Sequence, residues 1–495
     1  MKDYILSVDQ GTTSTRAIIF DRQARAVAVS QKELNLFYPE NGWVEQDAQD
    51  IWRDTKYVCR NVIERSDIDS DDIAAIGITN QRETLVLWDK NNGRLIGPAI
   101  VWQDRRTADM CRALKEKGYE EIFQKKTGLL LDPYFSGTKL SWMLDNIPGA
   151  REKAERGDLI CGTIDCYVLW RMTGATAHVT DATNASRTLL YNIVEGCWDE
   201  ELLNILNIPM SLLPEVKDNC CLFGMTAEKF LGLPIPVTGM AGDQQASIIG
   251  QACFKPGMFK STYGTGCFAM MNIGSEFKLS QNKLLTTIGY QLDGKVTYAL
   301  EGSIFIAGAA VQWLRDGLQI IEHASKTEEI ARRTKTNGGV YMVPAFTGLG
   351  APYWDPDARA AILGMTRDTT SDHIVRATLE AQAYQTQDLM AAMVEDSGMD
   401  INEIRVDGGM VENNWMCQFL SNITGHVVNR PQIIETTSLG AGYLAGLYTG
   451  FYNSTEQIAE NWQMSRSFKP TMAEEKRDAL YGGWKDAVQR TLSNR

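Results

Sequence analysis

Asp9-Gln-Gly-Thr-Thr-Ser-Thr-Arg16 lies between two apolar runs, residues 4–8 and 17–20. The pattern reads as a strand, a polar turn and a second strand. One glycine, four hydroxyls, a carboxylate and a guanidinium in a single turn suit a polyanion with a bound cation. Gly11 lets backbone approach phosphate oxygens, Thr12, Thr13 and Ser14 donate hydrogen bonds, and Arg16 closes the turn. Asp9 is placed to hold Mg2+, directly or through water. Taken alone, the same stretch is also compatible with an ordinary hairpin carrying a hydrophilic tip.

A second group of residues suits a small polyol. Arg82 and Glu83 offer a fork of donors beside a carboxylate acceptor, which matches neighbouring hydroxyls or, equally, a surface ion pair. Asp243 stands between a strand pattern at residues 235–240 and a helical pattern from 246, where it can accept a hydroxyl proton or cap the helix. Trp102, Tyr134 and Phe268 fit pocket walls or plain core. Gly264-Thr-Gly266 follows a strand pattern at 257–263, and the strand pattern at 404–410 ends in Gly408-Gly409. Bare backbone there can carry a flat adenine or ribose, or simply turn the chain. No GxxxxGK[ST], no strand-linked GxGxxG and no HRD/DFG set occurs. A phosphate site is therefore of the hairpin type, with residues 9–16, 264–267 and 408–413 converging on one nucleotide.

The elements that must position these residues follow from the apolar periodicity. A buried-type strand at 73–78 empties into residues 79–83, followed by a strand at 84–88, a turn at Asn91-Asn-Gly93 and a short strand at 100–102. Charged residues at the ends of apolar strands are where α/β folds place ligand contacts. Helices are expected at 48–63, 246–251, 305–319, 327–334, 373–396, 415–424 and 438–448. The strand-turn-strand near the midpoint echoes residues 4–20 and suggests a duplicated fold. A chain of 495 residues exceeds one core, so two large domains with a cleft between them are expected.

Lys and Arg number 49 against 62 Asp and Glu, a net charge of -13, which argues against a nucleic-acid or anionic-membrane surface. Ten cysteines without CxxC spacing and only four histidines give no zinc framework and point to reduced, packed thiols. A basic segment before a long apolar stretch is missing at the start, and the longest apolar run, near 304–314, is interrupted by Gln312. No secretory signal and no membrane insertion are expected, and the reading is a soluble, cytoplasmic protein.

Taken in order, Asp9-Gln-Gly-Thr-Thr-Ser-Thr-Arg16, Gly77-Ile-Thr-Asn-Gln-Arg-Glu-Thr84, Asp132-Pro-Tyr-Phe-Ser-Gly-Thr-Lys139, Gly242-Asp-Gln-Gln245, Tyr263-Gly-Thr-Gly-Cys-Phe268, Pro344-Ala-Phe-Thr-Gly-Leu-Gly-Ala-Pro-Tyr-Trp-Asp355 and Val406-Asp-Gly-Gly409 closely resemble the FGGY carbohydrate kinases, and within them the members acting on glycerol. The resemblance implies an α/β fold of two actin-like (ribonuclease H-like) domains flanking a deep catalytic cleft. Residues 1–250 would carry the phosphate hairpin and polyol pocket, and residues 251–495 the adenine nucleotide. It implies ATP-dependent phosphorylation of glycerol to sn-glycerol 3-phosphate and ADP with Mg2+, the first step of glycerol breakdown, by a homo-oligomer, dimer or tetramer. Carried over by position, Arg82, Glu83, Trp102, Tyr134, Asp243, Gln244 and Phe268 form the glycerol pocket, with Asp243 as catalytic base. Thr12, Thr13, Ser14 and Arg16 form the phosphate hairpin, and Thr265, Gly308, Gln312, Gly409 and Asn413 are further nucleotide contacts. Some bacterial members are inhibited by fructose 1,6-bisphosphate at a glycine-rich loop with an Arg, and others are activated by phosphorylation of a His in the same region. Here residues 223–234 contain no Arg, and no His occurs between His178 and His323, so neither control is expected.

Overall fold

A computed structural model describes residues 2–493. Two large mixed sheets organise the chain. The first has six strands in the order Cys220–Met225, Pro236–Gly242, Ile73–Asn80, Tyr4–Gln10, Ser14–Asp21, Ala26–Glu33. The second has seven, in the order Leu285–Leu292, Lys295–Ile304, Cys267–Gly274, Met258–Tyr263, Glu403–Asp407, Val428–Pro431, Met464–Phe468. Both are built alike. In each, a first strand pairs antiparallel with the next in sequence and parallel with a distant strand, which pairs parallel with one more; an antiparallel strand closes the edge. The hairpin echo seen in the sequence is thus one corner of a repeated sheet. In the first sheet the parallel strands Ile73–Asn80 and Pro236–Gly242 are largely apolar and buried, as strands covered on both faces are, whereas Glu403–Asp407 of the second buries charged residues as well.

The order of elements broadly follows the periodicity, with one informative difference. The pattern at 305–319 gives a helix only over Gly308–Asp316. Ala307 takes a non-helical conformation, φ -114° and ψ -92°, and its N–H is bonded to the Thr265 carbonyl at 2.9 Å. Tertiary contact with the 264–266 turn therefore overrides the periodicity at the helix start. The strand Lys295–Ile304 and the helices Ser136–Asn146 and Glu474–Thr491 were not marked by the periodicity.

Two helices join the halves, and each lies across the boundary. Asp243–Gly250, which follows the central strand Pro236–Gly242, also packs against Met258–Tyr263 and Leu285–Leu292 of the second sheet. Thr436–Tyr448, which follows Val428–Pro431 of the second sheet, lies on the first, against Pro236–Gly242, Ile73–Asn80 and Tyr4–Gln10. The two helices touch backbone to backbone. A β-carbon at Gly250 would fall 1.9 Å from the Thr436 carbonyl oxygen, and one at Gly440 would fall 1.8 Å from that of Ala246. Only glycine permits that approach. Around the crossing, Ile5, Ile18, Phe20, Ile248, Ile249, Leu439 and Leu444 form one buried apolar cluster shared by both halves.

Candidate active site

The first hairpin presents the polar turn as the sequence predicts. Asp9 pairs with Arg16 across the strands, and the Gly11 N–H donates to the Ser14 carbonyl at 2.9 Å, closing a tight tip. Thr13 is exposed there; Thr12 and Ser14 are half-buried. The tip is braced from outside: Gln46 Nε2 donates to the Thr12 carbonyl at 2.7 Å and Trp102 Nε1 to Thr12 Oγ1 at 2.8 Å. Arg16 is ion-paired with Glu435, just before the crossing helix Thr436–Tyr448. Asp9 accepts a hydrogen bond from Ser438 of that helix at 2.7 Å. Burial pushes the Asp9 carboxyl up to about 6; Ser438 and Arg16 oppose the shift, while Glu435 and Asp243 add to it. A half-buried carboxylate beside a tip of hydroxyls can hold a hard divalent cation shared with phosphates, while among the described residues no cluster of three or more Asp, Glu, His or Cys side chains forms a cation site by itself.

Arg82 and Glu83 follow the central strand Ile73–Asn80, and both are buried rather than on the surface. Their partners differ from the sequence expectation. The closest approach between the two is 3.9 Å, and the Arg82 fork instead grips Glu301 of the second sheet, Nη1 to Oε2 at 2.6 Å and Nη2 to Oε1 at 3.0 Å. Arg82 Nε lies 3.1 Å from Asp243 Oδ1. Glu83 adopts φ +63° and accepts from Arg187 Nε at 2.7 Å, while Arg187 Nη2 donates to Glu301 Oε1 at 3.0 Å. Four buried charges thus form a closed chain, Glu83–Arg187–Glu301–Arg82. Burial alone would raise the Glu301 carboxyl, but Arg187 and Arg82 outweigh it and hold it at about 2. Burial also pushes Glu83 up, against the pull of Arg82 and Arg187.

Three half-buried aromatic rings wall the space beside this chain. Trp102 meets Tyr134 edge to face at 5.6 Å and Phe268 at 6.2 Å. Because Trp102 also holds Thr12, the wall and the hairpin tip share one residue. Asp243 is the first helical residue after Gly242, which occupies the cap position, so the carboxylate is not the helix cap. It accepts from the Gln244 N–H at 2.7 Å and from Arg82, and a third of its side chain remains exposed. Gln244 Oε1 accepts from Lys260 Nζ at 2.5 Å.

On the other side, the 264–266 turn is fixed to the start of the helix Gly308–Asp316, with the Gly308 N–H donating to the Gly264 carbonyl at 2.9 Å. A β-carbon at Gly308 would lie 2.6 Å from that carbonyl oxygen, and Met410 sulfur is nearby. Thr265 is exposed at the turn, as is Gln312 one helical turn beyond Gly308. Gly408 is held at φ +86° under Tyr263, whereas a β-carbon at Gly409 would meet nothing within 4 Å, leaving open room above its backbone. Asn413 stands at the start of the next helix. Its Oδ1 caps the helix Asn414–Thr424 by accepting from the Met416 N–H at 3.0 Å, and its Nδ2 faces Thr327 Oγ1 at 3.3 Å.

Arg187, Glu301 and Lys260 were missed by sequence reasoning. Glu301 carried little signal, since its surroundings, Ala299-Leu-Glu-Gly-Ser-Ile304, are only half apolar. Arg187 and Lys260 carried none.

Residues 4–250 match the N-terminal domain and residues 259–448 the C-terminal domain of the FGGY family of carbohydrate kinases. The chain is similar to glycerol kinase of Alcanivorax borkumensis, 58% identical over 98% of both chains, and to glycerol kinase 1 of Pseudomonas aeruginosa, 58% identical over 100% of both. Among solved structures it is similar to Plasmodium falciparum glycerol kinase with ADP, with a TM-score of 0.93 at 37% identity over 99% of each chain. A ligand-bound xylulose kinase from Lactobacillus acidophilus, 23% identical with a TM-score of 0.89, shares the fold.

Proposed function

The chain belongs to the FGGY family of carbohydrate kinases, and from that premise we propose that it transfers the γ-phosphoryl group of ATP to a terminal hydroxyl of glycerol, giving sn-glycerol 3-phosphate and ADP. The observation that carries the reading is the position of Asp243: partly exposed, gripped by Arg82, with the aromatic wall and the hydroxyl tip meeting at Trp102. Phosphoryl transfer passes through a loose transition state, so positioning and charge neutralisation are the main demands. Arg82 and Glu83 orient neighbouring hydroxyls, Trp102, Tyr134 and Phe268 limit the pocket to a short carbon chain, and Gln244 completes it. Asp243 aligns the attacking hydroxyl and takes its proton as the new P–O bond forms and the bond to ADP breaks. Thr12, Thr13, Ser14 and Arg16 hold the phosphates, with Thr265, Gly308, Gln312 and Gly409 lining the nucleoside side. Asn413 is a further nucleotide contact there. Asp9 is the residue to hold Mg2+, which when bound neutralises phosphate charge.

We place the division between the halves near residue 250, supported by the two sheets lying on either side of it. We place the protein in the cytoplasm, supported by ten free cysteines, and read it as a dimer or tetramer from its family. Among the described residues, no helix is long and apolar enough to cross a membrane. The test is Asp243→Asn, expected to lower kcat by about 10²-fold or more with ATP binding retained, since general-base contributions have that size. Turnover near that of the parent removes Asp243 from the mechanism. A panel of polyols and sugars with ATP tests the acceptor, and preference for a five-carbon sugar overturns glycerol.

A further inference from the structure

A hollow of about 500 Å³ opens on the first half, and none of its lining residues belongs to the hairpin tip, the polyol pocket or the nucleotide turns. Its walls are Trp43, Trp142, Pro98, Ile147 and Pro148. The two indoles meet edge to face at 5.2 Å. Arg106 forms a rigid part of the lining, its guanidinium 3.8 Å from the Trp43 ring centre and 4.7 Å from that of Trp142. That charge is already matched by Asp104 and Glu45. Two other cations in the lining are not matched: the side chains of Arg94 and Lys153 make no hydrogen bond or ion pair among the described residues. In a chain of net charge -13, two unmatched cations in one tryptophan-walled hollow mark a local field of the opposite sign. The volume is that of a small-molecule site, and mostly apolar walls with a few placed charges are its usual composition.

We propose that this hollow is a second ligand site, taking a small organic anion with a flat apolar body. The anionic group pairs with Arg94 and Lys153, and the body lies against Trp43 and Trp142, whose rings are held in place by Arg106. The site adjoins the elements that brace the hairpin tip. Glu45 precedes Gln46, which bonds the Thr12 carbonyl, and Asp104 follows Trp102 by two residues.

The experiment is calorimetric titration of the full chain with 2-naphthoate while saturating ADP and glycerol occupy the cleft. Saturable binding is expected, at least tenfold tighter than for uncharged 2-naphthol, weakening as ionic strength rises. Arg94→Ala/Lys153→Ala is expected to lose at least tenfold in affinity with the melting temperature unchanged, since Arg94 is exposed and Lys153 only half-buried. Absence of saturable binding, an affinity indifferent to salt, or binding equal in the double variant overturns the proposal. So does sedimentation showing that a second copy of the chain covers the hollow, with association lost in the same variant. Because the readout is heat of binding, failure here leaves the kinase assay untouched, and loss of kinase activity leaves this result standing.

Discussion

Arg82 is held by a residue from the other half of the molecule. Glu301 sits in the second sheet, yet both its oxygens face the Arg82 fork, and one also serves Arg187. Glu301→Gln would leave Arg82 and Arg187 short of a counter-charge in a dry setting, where removing one member of a buried pair costs about 3–5 kcal/mol. The expected outcome is a lower melting temperature together with a KM for glycerol raised at least tenfold and a KM for ATP changed little, read from steady-state kinetics below the new melting temperature. Equal effects on both substrates would show that Glu301 serves folding alone. The same residue predicts an acid limb. Its folded-state value of about 2 lies below the ordinary glutamate value of 4.5, so its contribution to stability is present above about pH 4.5 and lost as pH falls towards 2. Denaturant melts across that window should show the parent losing stability faster than Glu301→Gln.

At this scale the sequence shows residue types but not partnerships. Arg82 and Glu83 read as a pair because they are adjacent, but they sit in a turn with Glu83 at φ +63°, and their side chains come no closer than 3.9 Å. Each finds its counter-charge over a hundred residues away, in Glu301 and Arg187. From its own surroundings Asp243 read as either base or cap: its place before a helix was visible, while the Arg82 contact that holds the carboxylate was not.

Among elements, the glycine crossing of Asp243–Gly250 with Thr436–Tyr448 is the tightest contact between the halves. Gly440→Ala places a methyl group where the Ala246 carbonyl oxygen lies, so the helices must separate. Overpacking of this kind costs about 1–3 kcal/mol or more. Because Asp243 begins one helix and Ser438, which holds Asp9, lies in the other, the shift is also expected to reduce kcat. Thermal melting and turnover of Gly440→Ala are expected to fall together; a stable variant with unchanged kcat would show that the crossing tolerates more room than its geometry indicates. The periodicity marked both helices, but a helical pattern does not say which sheet it will cover. The edge segment 223–234 gives a prediction of absence. It folds as the end of the strand Cys220–Met225 and the one-turn helix Glu228–Leu231, whose terminal carbonyls of Lys229 and Phe230 are taken by Arg60. With that guanidinium occupied by carbonyls and no Arg in the segment, initial rates are expected to be unchanged by millimolar fructose 1,6-bisphosphate. Clear inhibition would place a control site elsewhere.

Over the whole molecule, the duplicated sheet was legible from one corner, because the two hairpins carry the same alternation of apolar run and glycine/threonine turn. The repetition of the complete strand order was not, since the parallel partners lie up to about 160 residues from the strands they join and periodicity carries no pairing information. The exchange of helices has a consequence for synthesis. The last strand of the first sheet ends at Gly242, but Thr436–Tyr448, which covers that sheet, comes roughly 200 residues later. At ribosomal rates of about 5–20 residues per second, the nascent chain carries an uncovered apolar face for about 10–40 seconds. The first half is therefore expected to stay open to chaperones at the ribosome until its own cover emerges from the exit tunnel.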